Sequence, residues 1–459
     1  MSHTRLRWIY VLVDLLSTSA AWFCFNMWRF AALCVDDDIT FAGYYSWQSV
    51  WGGQIFFPLM MLGIYWLSGY YNVESVSNRS RAQEFLTTLA SVCAGAIAIF
   101  FLAIVNDLVQ RRLIAIENLA VIAGLLFAWV YIGRILITRI WVRRTHLRRY
   151  YSEALMIGTD DHARLLAHRI NSLPKGMGLQ VCDFVCPQTE SVAEICRSRG
   201  IRHIIVSPLI ADSPAMPALL NELLPLDVSV YISPGIHNLP ATSHRIGNVV
   251  GEPLVDLSHP NISAFTVNLK RLSDVIGASV ALAALWPLML IVAVAIKCDS
   301  RGPVLYRQER IGRRKHPFYI LKFRSMVNDA ETLSGGPMLS YEHDPRVTRV
   351  GRVLRKYRLD ELPQFWNVLR GDMSLVGPRP ERRYFADLIA EREPLYSMIY
   401  QVRPGITSWG MVKYGYASTV DEMVERLRYD LIYMENISLT TDIKILIYTV
   451  NTVLSGRGK

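Results

Sequence analysis

The stretch "VIGASVALAALWPLMLIVAVAI", Val275 to Ile296, contains no charged residue and decides how the whole chain is laid out. As a helix rising about 1.5 Å per residue, a run of this length crosses a bilayer core of about 30 Å. A crossing here would put everything after Ile296 on the opposite side of the membrane from everything just before Val275. Pro287 stands slightly past the middle, removing a backbone donor and blocking a straight helix. Basic residues flank both ends, Lys270 and Arg271 before the run, Lys297 and Arg301 after it. Two such flanks around a central proline fit a re-entrant helix that dips in and returns. A kinked spanning helix fits the same residues, because helices in lipid tolerate proline when neighbours satisfy the freed carbonyl. The run by itself leaves both readings open.

Upstream, four further apolar runs are long enough to span: Trp8 to Phe30, Trp51 to Tyr71, Phe85 to Val105 and Asn118 to Ile137. With 51% hydrophobic residues, eleven tryptophans and a positive mean hydropathy, the composition excludes an ordinary cytosolic enzyme. We therefore expect a four-helix transmembrane bundle over residues 1–145. "STSAA" near Ala21 loosely resembles a signal-cleavage site, but Asp14 interrupts the apolar core and aromatic residues continue beyond it, so an uncleaved span is expected. Loop charges orient the bundle. Arg5, Arg7, Arg79, Arg81, Arg143, Arg144, Arg148 and Arg149 load one side, and Asp36, Asp37 and Asp38 mark the other. Arg111 and Arg112 run against this pattern but are outweighed, so both bundle ends and everything after residue 145 are expected in the cytoplasm.

The net charge of +10 suits a protein pressed against anionic membrane lipid and handling phosphorylated substrates. Charge spread beside membrane spans argues against nucleic acid as the partner. The seven cysteines have neither disulfide nor zinc spacing and are expected to be reduced.

Residues 146–250 change character. The strand-like stretches "EALMIGTDD", "GLQVCDFV", "IRHIIVS" and "DVSVYIS" alternate with helical ones at His162 to Asn171, "SVAEICRSRG" and "AMPALLNELLPL". Such alternation predicts a parallel α/β sheet, here a Rossmann-like domain. A dinucleotide fingerprint needs three glycines to bring backbone against pyrophosphate. Only Gly158 is present, followed by Thr159, Asp160 and Asp161, whose carboxylates repel phosphate, so a domain without dinucleotide is expected. Residues 251–269 read as a linker, and residues 270–459 hold the chemistry.

From Asp344 to Arg383, ten Lys or Arg stand against five Asp or Glu. Arginine's planar fork takes two phosphate oxygens at once, so this density suits a diphosphate substrate, a lipid phosphate, or both. For Arg352, Arg355 and Lys356, spaced three and four apart, a helix resting on anionic headgroups is the better reading. In "YRLDELPQFWN", Tyr357 to Asn367, Pro363 predicts a helix starting close to Asp360. Asp360 and Glu361 then sit at its N-terminus, where the dipole and free N–H groups favour negative charge. A carboxylate held ionised there is a competent nucleophile toward phosphorus, and its neighbour can hold Mg²⁺. Local physics alone favours an ordinary N-cap. "GDMSLVGPRPE", Gly371 to Glu381, rigidifies a turn presenting Arg379; "ILKFRSM" is a strand ending on Arg324; "VRPGITSW" is a turn carrying Arg403.

The order of these stretches is more specific than any one of them. "KRLSDV", the proline-broken run, "GPVLYRQERIGR", "LKFRSM", "DPRVTRVGRVLRKYRLDELPQFWNVLRGDMSLVGPRPE" and "RPGIT" together resemble the bacterial sugar transferase family, the polyprenyl-phosphate sugar-1-phosphate transferases that begin exopolysaccharide, capsule and O-antigen assembly. The resemblance covers Lys270 to Lys459 closely, and the four spans with the Rossmann-like domain resemble the large-form members. It implies an α/β monotopic catalytic domain with a re-entrant helix over about 275–296 broken at Pro287. It also implies a bacterial inner-membrane enzyme acting on the cytoplasmic face. The implied reaction is ping-pong: Asp360 attacks the β-phosphate of a UDP-sugar and expels UMP, and undecaprenyl phosphate then takes the sugar-phosphate. Glu361 matches the metal-binding half of the dyad, implying Mg²⁺ as cofactor, and Arg379 matches the residue associated with the nucleotide diphosphate. Arg324, Arg346 and Arg403 join Arg379 as expected substrate contacts, Arg403 the weakest of them. A second copy of the chain is a further candidate partner.

Two departures from the family pattern stand out. Trp286 stands where members often place serine before the breaking proline, and Ser408 and Met411 stand where "RPGIT" commonly continues with a glycine and then a glutamine. Two rival classes fare worse. A membrane-bound nucleotide-sugar dehydratase or epimerase needs a dinucleotide loop and a Tyr-x-x-x-Lys pair, and no lysine in the chain lies four residues after a tyrosine. A non-catalytic scaffold has no reason to gather an acid pair, a Pro-Arg-Pro turn and dense arginines in one short region.

Overall fold

The computed structural model describes residues 3–33, 40–46, 48–71, 81–104, 112–146, 152–172, 179–187, 191–223, 226, 228–233, 254–257, 262–327, 344–415 and 417–455. Four long helices come first: α1 (His3–Leu33), α2 (Gln48–Leu67), α3 (Arg81–Ile99, continued by a π-helical turn over Phe100–Ile104) and α4 (Arg112–His146). They contain the expected apolar runs, apart from a residue or a few at two of the ends, and are long and apolar enough to cross a membrane. Trp8, Leu12, Leu16, Ile132 and Leu136 face outward, while Phe25, Met61, Tyr65, Ile122 and Leu126 fill the interior. The loop aspartates Asp36 to Asp38 and the arginines Arg79, Arg111, Arg148 and Arg149 lie outside the described residues.

Asp14, the charge that interrupts the first apolar run, is buried and answered. Arg134 of α4 donates to its two oxygens at 2.9 and 2.7 Å, and to the Thr88 hydroxyl at 2.9 Å. The guanidinium lies over the rings of Tyr65 and Tyr70, 4.4 and 3.5 Å from their centroids, and the Tyr71 hydroxyl donates to Asp14 at 2.9 Å. One ion pair thereby ties all four helices together. A buried charge is tolerated only when paired and hydrogen-bonded in this way.

The next unit alternates as the sequence predicts: β1 (Ser152–Ile157), α5 (Asp161–Ser172), β2 (Leu179–Val185), α6 (Val192–Arg199), β3 (His203–Val206), α7 (Met216–Leu223) and β4 (Ser229–Ile232). Strand order is β2-β1-β3-β4, all parallel, with Leu155 opposite Ile204 and Ile205 opposite Tyr231. At the first turn Gly158 has φ of +123°, and an added Cβ would meet Ser207 Cβ at 2.7 Å. Asp160 accepts from the Ala163 N–H at 3.2 Å and the Ser207 hydroxyl at 2.9 Å. The N-terminus of α5, where a dinucleotide's phosphates would lie, is capped by the chain's own carboxylate.

Residues 251–269, read as a linker, prove more structured. Val255–Asp256 forms β5, pairing antiparallel with β4, and the long helix α8 begins at Ala264. The reason is local: the Ser263 hydroxyl accepts the Thr266 N–H at 2.9 Å, an N-cap that starts the helix well ahead of the apolar run. From there α8 (Ala264–Asp299) runs helical through Pro287. It is followed by the hairpin β6 (Leu305–Ile311) and β7 (Pro317–Phe323), then α9 (Arg349–Lys356), a 3-10 turn (Leu359–Glu361), α10 (Gln364–Arg370) and β8 (Ser374–Val376). The chain ends through α11 (Arg383–Arg392), a 3-10 segment (Pro394–Gln401), β9 (Gly405–Thr407), α12 (Trp409–Lys413), α13 (Val420–Glu435) and α14 (Leu439–Leu454).

β8 and β9 pair in parallel and bring "VGPRP" against "RPGIT". A Cβ on Gly405 would meet Gly377 N at 2.1 Å and Gly377 O at 2.5 Å, so the two motif glycines exist for backbone contact. Other contacts join the units. Asn268 donates to the Trp66 carbonyl at 2.6 Å, Gln401 donates to Leu257 O at 2.9 Å, and Met398 packs on the core that includes α7.

Candidate active site

Asp360 and Glu361 are both buried, at 9% and 7% exposure. They occupy the separate 3-10 turn rather than the first turn of α10, because Arg358 takes a left-handed conformation (φ 53°) that breaks the chain from α9 and resets its direction. Lys322 of β7 donates to Glu361 at 3.0 Å, and Arg358 lies 3.9 Å from its other oxygen. Asn367 of α10 fixes this meeting. Its amide donates to Tyr319 O at 2.8 Å and its oxygen accepts the Leu321 N–H at 3.0 Å, clamping α10 to the strand that carries Lys322.

The two carboxylates are electrostatically unequal. Burial pushes Asp360 up to about 6, with the neighbouring Glu361 charge adding to it, against Lys322 and Arg355, which favour the ionised form. Glu361 is also desolvated, but Lys322, Arg379 and Arg358 outweigh the burial and hold it low. The pair thus comprises one firmly ionised carboxylate and one poised carboxylate within a cage of four cations.

The expected arginines divide. Arg379 is at the dyad, where its charge acts on Glu361; its Nη1 lies 3.0 Å from Met411 Sδ and its Nε 3.8 Å from Glu381. Arg324 is buried and donates to Arg301 O at 2.8 Å and Ser300 O at 2.7 Å, closing the C-terminus of α8. Arg346 makes a two-pronged pair with Asp344, at 2.8 and 2.6 Å. Arg403 donates to Gly371 O at 2.9 Å, beside Arg271, which donates to Val368 O and Leu369 O at 2.7 and 3.1 Å. Those two arginines complete the carbonyls at the C-terminal end of α10, the end away from the dyad.

Three dyad neighbours were not assigned to the dyad from the sequence: Lys322, Arg355 and Arg358. Lys322 stands on β7 two residues before Arg324, which lies just past the strand's end, and a lone lysine between apolar neighbours in "ILKF" is the signal the sequence offers. Arg355, expected at the lipid headgroups, acts on Asp360 instead. Beside this cage Trp366, Val353 and Tyr357 are exposed, Trp366 at 57%.

A model of the bacterial sugar transferase family matches residues 265–456, the whole block that carries the dyad. The chain is 46% identical over 190 residues to a UDP-N-acetylgalactosamine-undecaprenyl-phosphate N-acetylgalactosaminephosphotransferase of Aeromonas hydrophila, covering 41% of this chain and 44% of that protein. It is 33% identical over 266 residues to a UDP-glucose:undecaprenyl-phosphate glucose-1-phosphate transferase of Escherichia coli (strain K12), covering 57% and 56%. A protein of the same description from Caulobacter vibrioides is 45% identical over 190 residues, 40% of this chain and 70% of that one. The chain spans about half the length of the first two relatives and most of the third. With that coverage at that identity, and the family pattern lying over the dyad itself, the chain belongs to the bacterial sugar transferase family.

Proposed function

We propose that this chain transfers a sugar 1-phosphate from a UDP-sugar to undecaprenyl phosphate, releasing UMP, as the first membrane step of exopolysaccharide, capsule or O-antigen synthesis. The observation that carries the reading is the buried Asp360–Glu361 pair inside Lys322, Arg355, Arg358 and Arg379, next to an exposed apolar edge. Cations around two acids suit phosphate oxygens, and the apolar edge suits a lipid substrate. The relatives' names, which specify undecaprenyl phosphate and either UDP-glucose or UDP-N-acetylgalactosamine, support the same substrates here.

In the first half-reaction an Asp360 oxygen attacks the β-phosphorus, the bond from that phosphorus to the bridging oxygen breaks, and UMP leaves with the electron pair. Asp360 then carries the sugar-phosphate as an acyl phosphate. In the second, an oxygen of undecaprenyl phosphate attacks the same phosphorus and Asp360 departs as a carboxylate. Lys322 and the arginines steady the charge on the phosphoryl oxygens through both displacements. Glu361, with substrate phosphates, would hold Mg²⁺, which supplies charge neutralisation at the diphosphate when bound. The donor set fits that mode and not an all-protein cage: two adjacent carboxylates are present, and among the described residues no group of three or more His, Cys, Asp or Glu forms.

The membrane placement is part of the proposal. Pro287 near the middle of the apolar run, with basic residues at both of its ends, supports a re-entrant helix bent there, with the catalytic block on the cytoplasmic face of a bacterial inner membrane. The test is to incubate membranes containing the full chain with undecaprenyl phosphate and UDP-glucose, UDP-galactose, UDP-N-acetylglucosamine or UDP-N-acetylgalactosamine, with and without EDTA. The expected product is UMP, from one or two of these sugars, lost with EDTA and restored by Mg²⁺. Release of UDP instead would mean direct sugar transfer and would overturn the reading.

A further inference from the structure

Gln364, the first residue of α10, is buried at 2% exposure, one helical turn after Asp360 and Glu361. Leu362 and Pro363, which intervene, keep right-handed helical angles, so Asp360, Glu361, Gln364 and Asn367 share one face at helical spacing. That face looks at β7. Glu361 takes the Lys322 ammonium at 3.0 Å, and Asn367 binds Tyr319 O and the Leu321 N–H. Gln364 lies between these two answered residues, yet its Nε2 has no hydrogen-bond partner among the described residues. A buried donor without an acceptor lowers stability, and such groups are uncommon in folded proteins. Packing gives no reason for an amide here, because Leu or Met would fill a similar volume without that penalty.

We propose that Gln364 is a phosphoryl-contacting residue, whose Nε2 donates to an oxygen of the phosphoryl group that Asp360 attacks and then carries. The inference deepens the reaction read above and rests on it. Reach decides the ligand. Residues four apart on a helix hold their Cβ atoms about 5–6 Å apart, and long side chains lean back toward the helix start. The Gln364 amide therefore reaches the atoms that become joined to the Asp360 carboxylate, which in that reaction are phosphorus and its oxygens. The sugar ring and the nucleoside lie farther out along the substrate. A neutral amide also does what the surrounding cations do not: it holds a phosphoryl oxygen without drawing off the charge of the attacking carboxylate. The acceptor that the protein does not supply comes with the substrate, so the hydrogen bond forms where it serves the transition state.

The test compares Gln364→Leu and Gln364→Met with the wild type, each as the full chain in lipid nanodiscs. Melting temperature is measured beside the kinetics of UMP release, using undecaprenyl phosphate and whichever UDP-sugar of the panel above the wild type turns over. Removing an idle buried donor should leave the melting temperature unchanged or raise it. The same change should lower kcat about thirtyfold, somewhat less than the loss of a full oxyanion donor. KM for the UDP-sugar should move by less than about threefold, the split expected of a contact made in the transition state. If the melting temperature falls in both variants, the amide is structural and the proposal is overturned. It is overturned equally if kcat stays within about twofold of the wild type, or if neither variant folds. UMP release by the wild type with unchanged kcat in the variants would sink this inference alone. No UMP release by the wild type with any sugar of the panel would sink the reaction with it.

Discussion

Lys322 meets Glu361 at 3.0 Å and is the largest favourable charge acting on Asp360, so one lysine serves both halves of the dyad. Lys322→Met should cut the turnover number for UMP release by about a hundredfold, the scale of losing one preorganised charge at a phosphoryl centre. Steady-state assay in membranes checks this, and turnover within twofold of the wild type would remove Lys322 from the site. The dyad itself was legible in the sequence because an acid pair ahead of a proline, amid arginines, is locally unusual. Lys322 was harder to find: a strand lysine acquires meaning only when α10 is clamped against β7 through Asn367, a contact 46 residues apart at Leu321. The partners of Arg324, Arg346 and Arg403 were hidden for a related reason. Composition gives the charge of an arginine but not its acceptor, and these three spend their forks on carbonyls or on Asp344.

At the scale of elements, the feature at issue is α8. Its apolar pattern and Pro287 were plain in the sequence, whereas its packing needed the fold, since Ala278 and Ile296 join core clusters with Val368 and Leu354, residues far along the chain. The exposed Cys298, near the end of α8, offers a direct check. In a variant whose other cysteines are serine, a membrane-impermeant maleimide should label Cys298 in inside-out vesicles and leave it unlabelled in spheroplasts. A cysteine introduced at Arg271 should give the same pattern. Opposite labelling of the two positions would make α8 a kinked spanning helix. The strands of the α/β unit were readable for a simpler reason. Their buried runs, such as Leu155 to Ile157 and Ile204 to Val206, are continuous and bounded by turns, the pattern of a sheet covered on both faces.

The whole molecule is held together by two kinds of joint. Inside the bundle, Asp14 and Arg134 stitch four helices, and between units single polar contacts such as Asn268 to Trp66 carry the register. Arg134→Leu leaves Asp14 buried without its cation and should cost about 3–5 kcal/mol; thermal unfolding in detergent should show it, and Asp14→Asn/Arg134→Leu should recover part of the loss. An unchanged melting temperature for the single variant would mean that the pair does not hold the bundle. Asp14 was visible in the sequence as an interruption, but its partner lies 120 residues away and could not be read from spacing. All of these joints matter to function only if they serve one carboxylate, and that is the most direct point to test. The full chain incubated with UDP-sugar and Mg²⁺ in the absence of undecaprenyl phosphate, then quenched and digested, should yield a peptide carrying a hexose-phosphate adduct at Asp360 by mass spectrometry. The adduct should disappear on adding undecaprenyl phosphate and be absent from Asp360→Asn, which should also release no UMP. Full turnover by Asp360→Asn, or an adduct on another residue, would contradict the account.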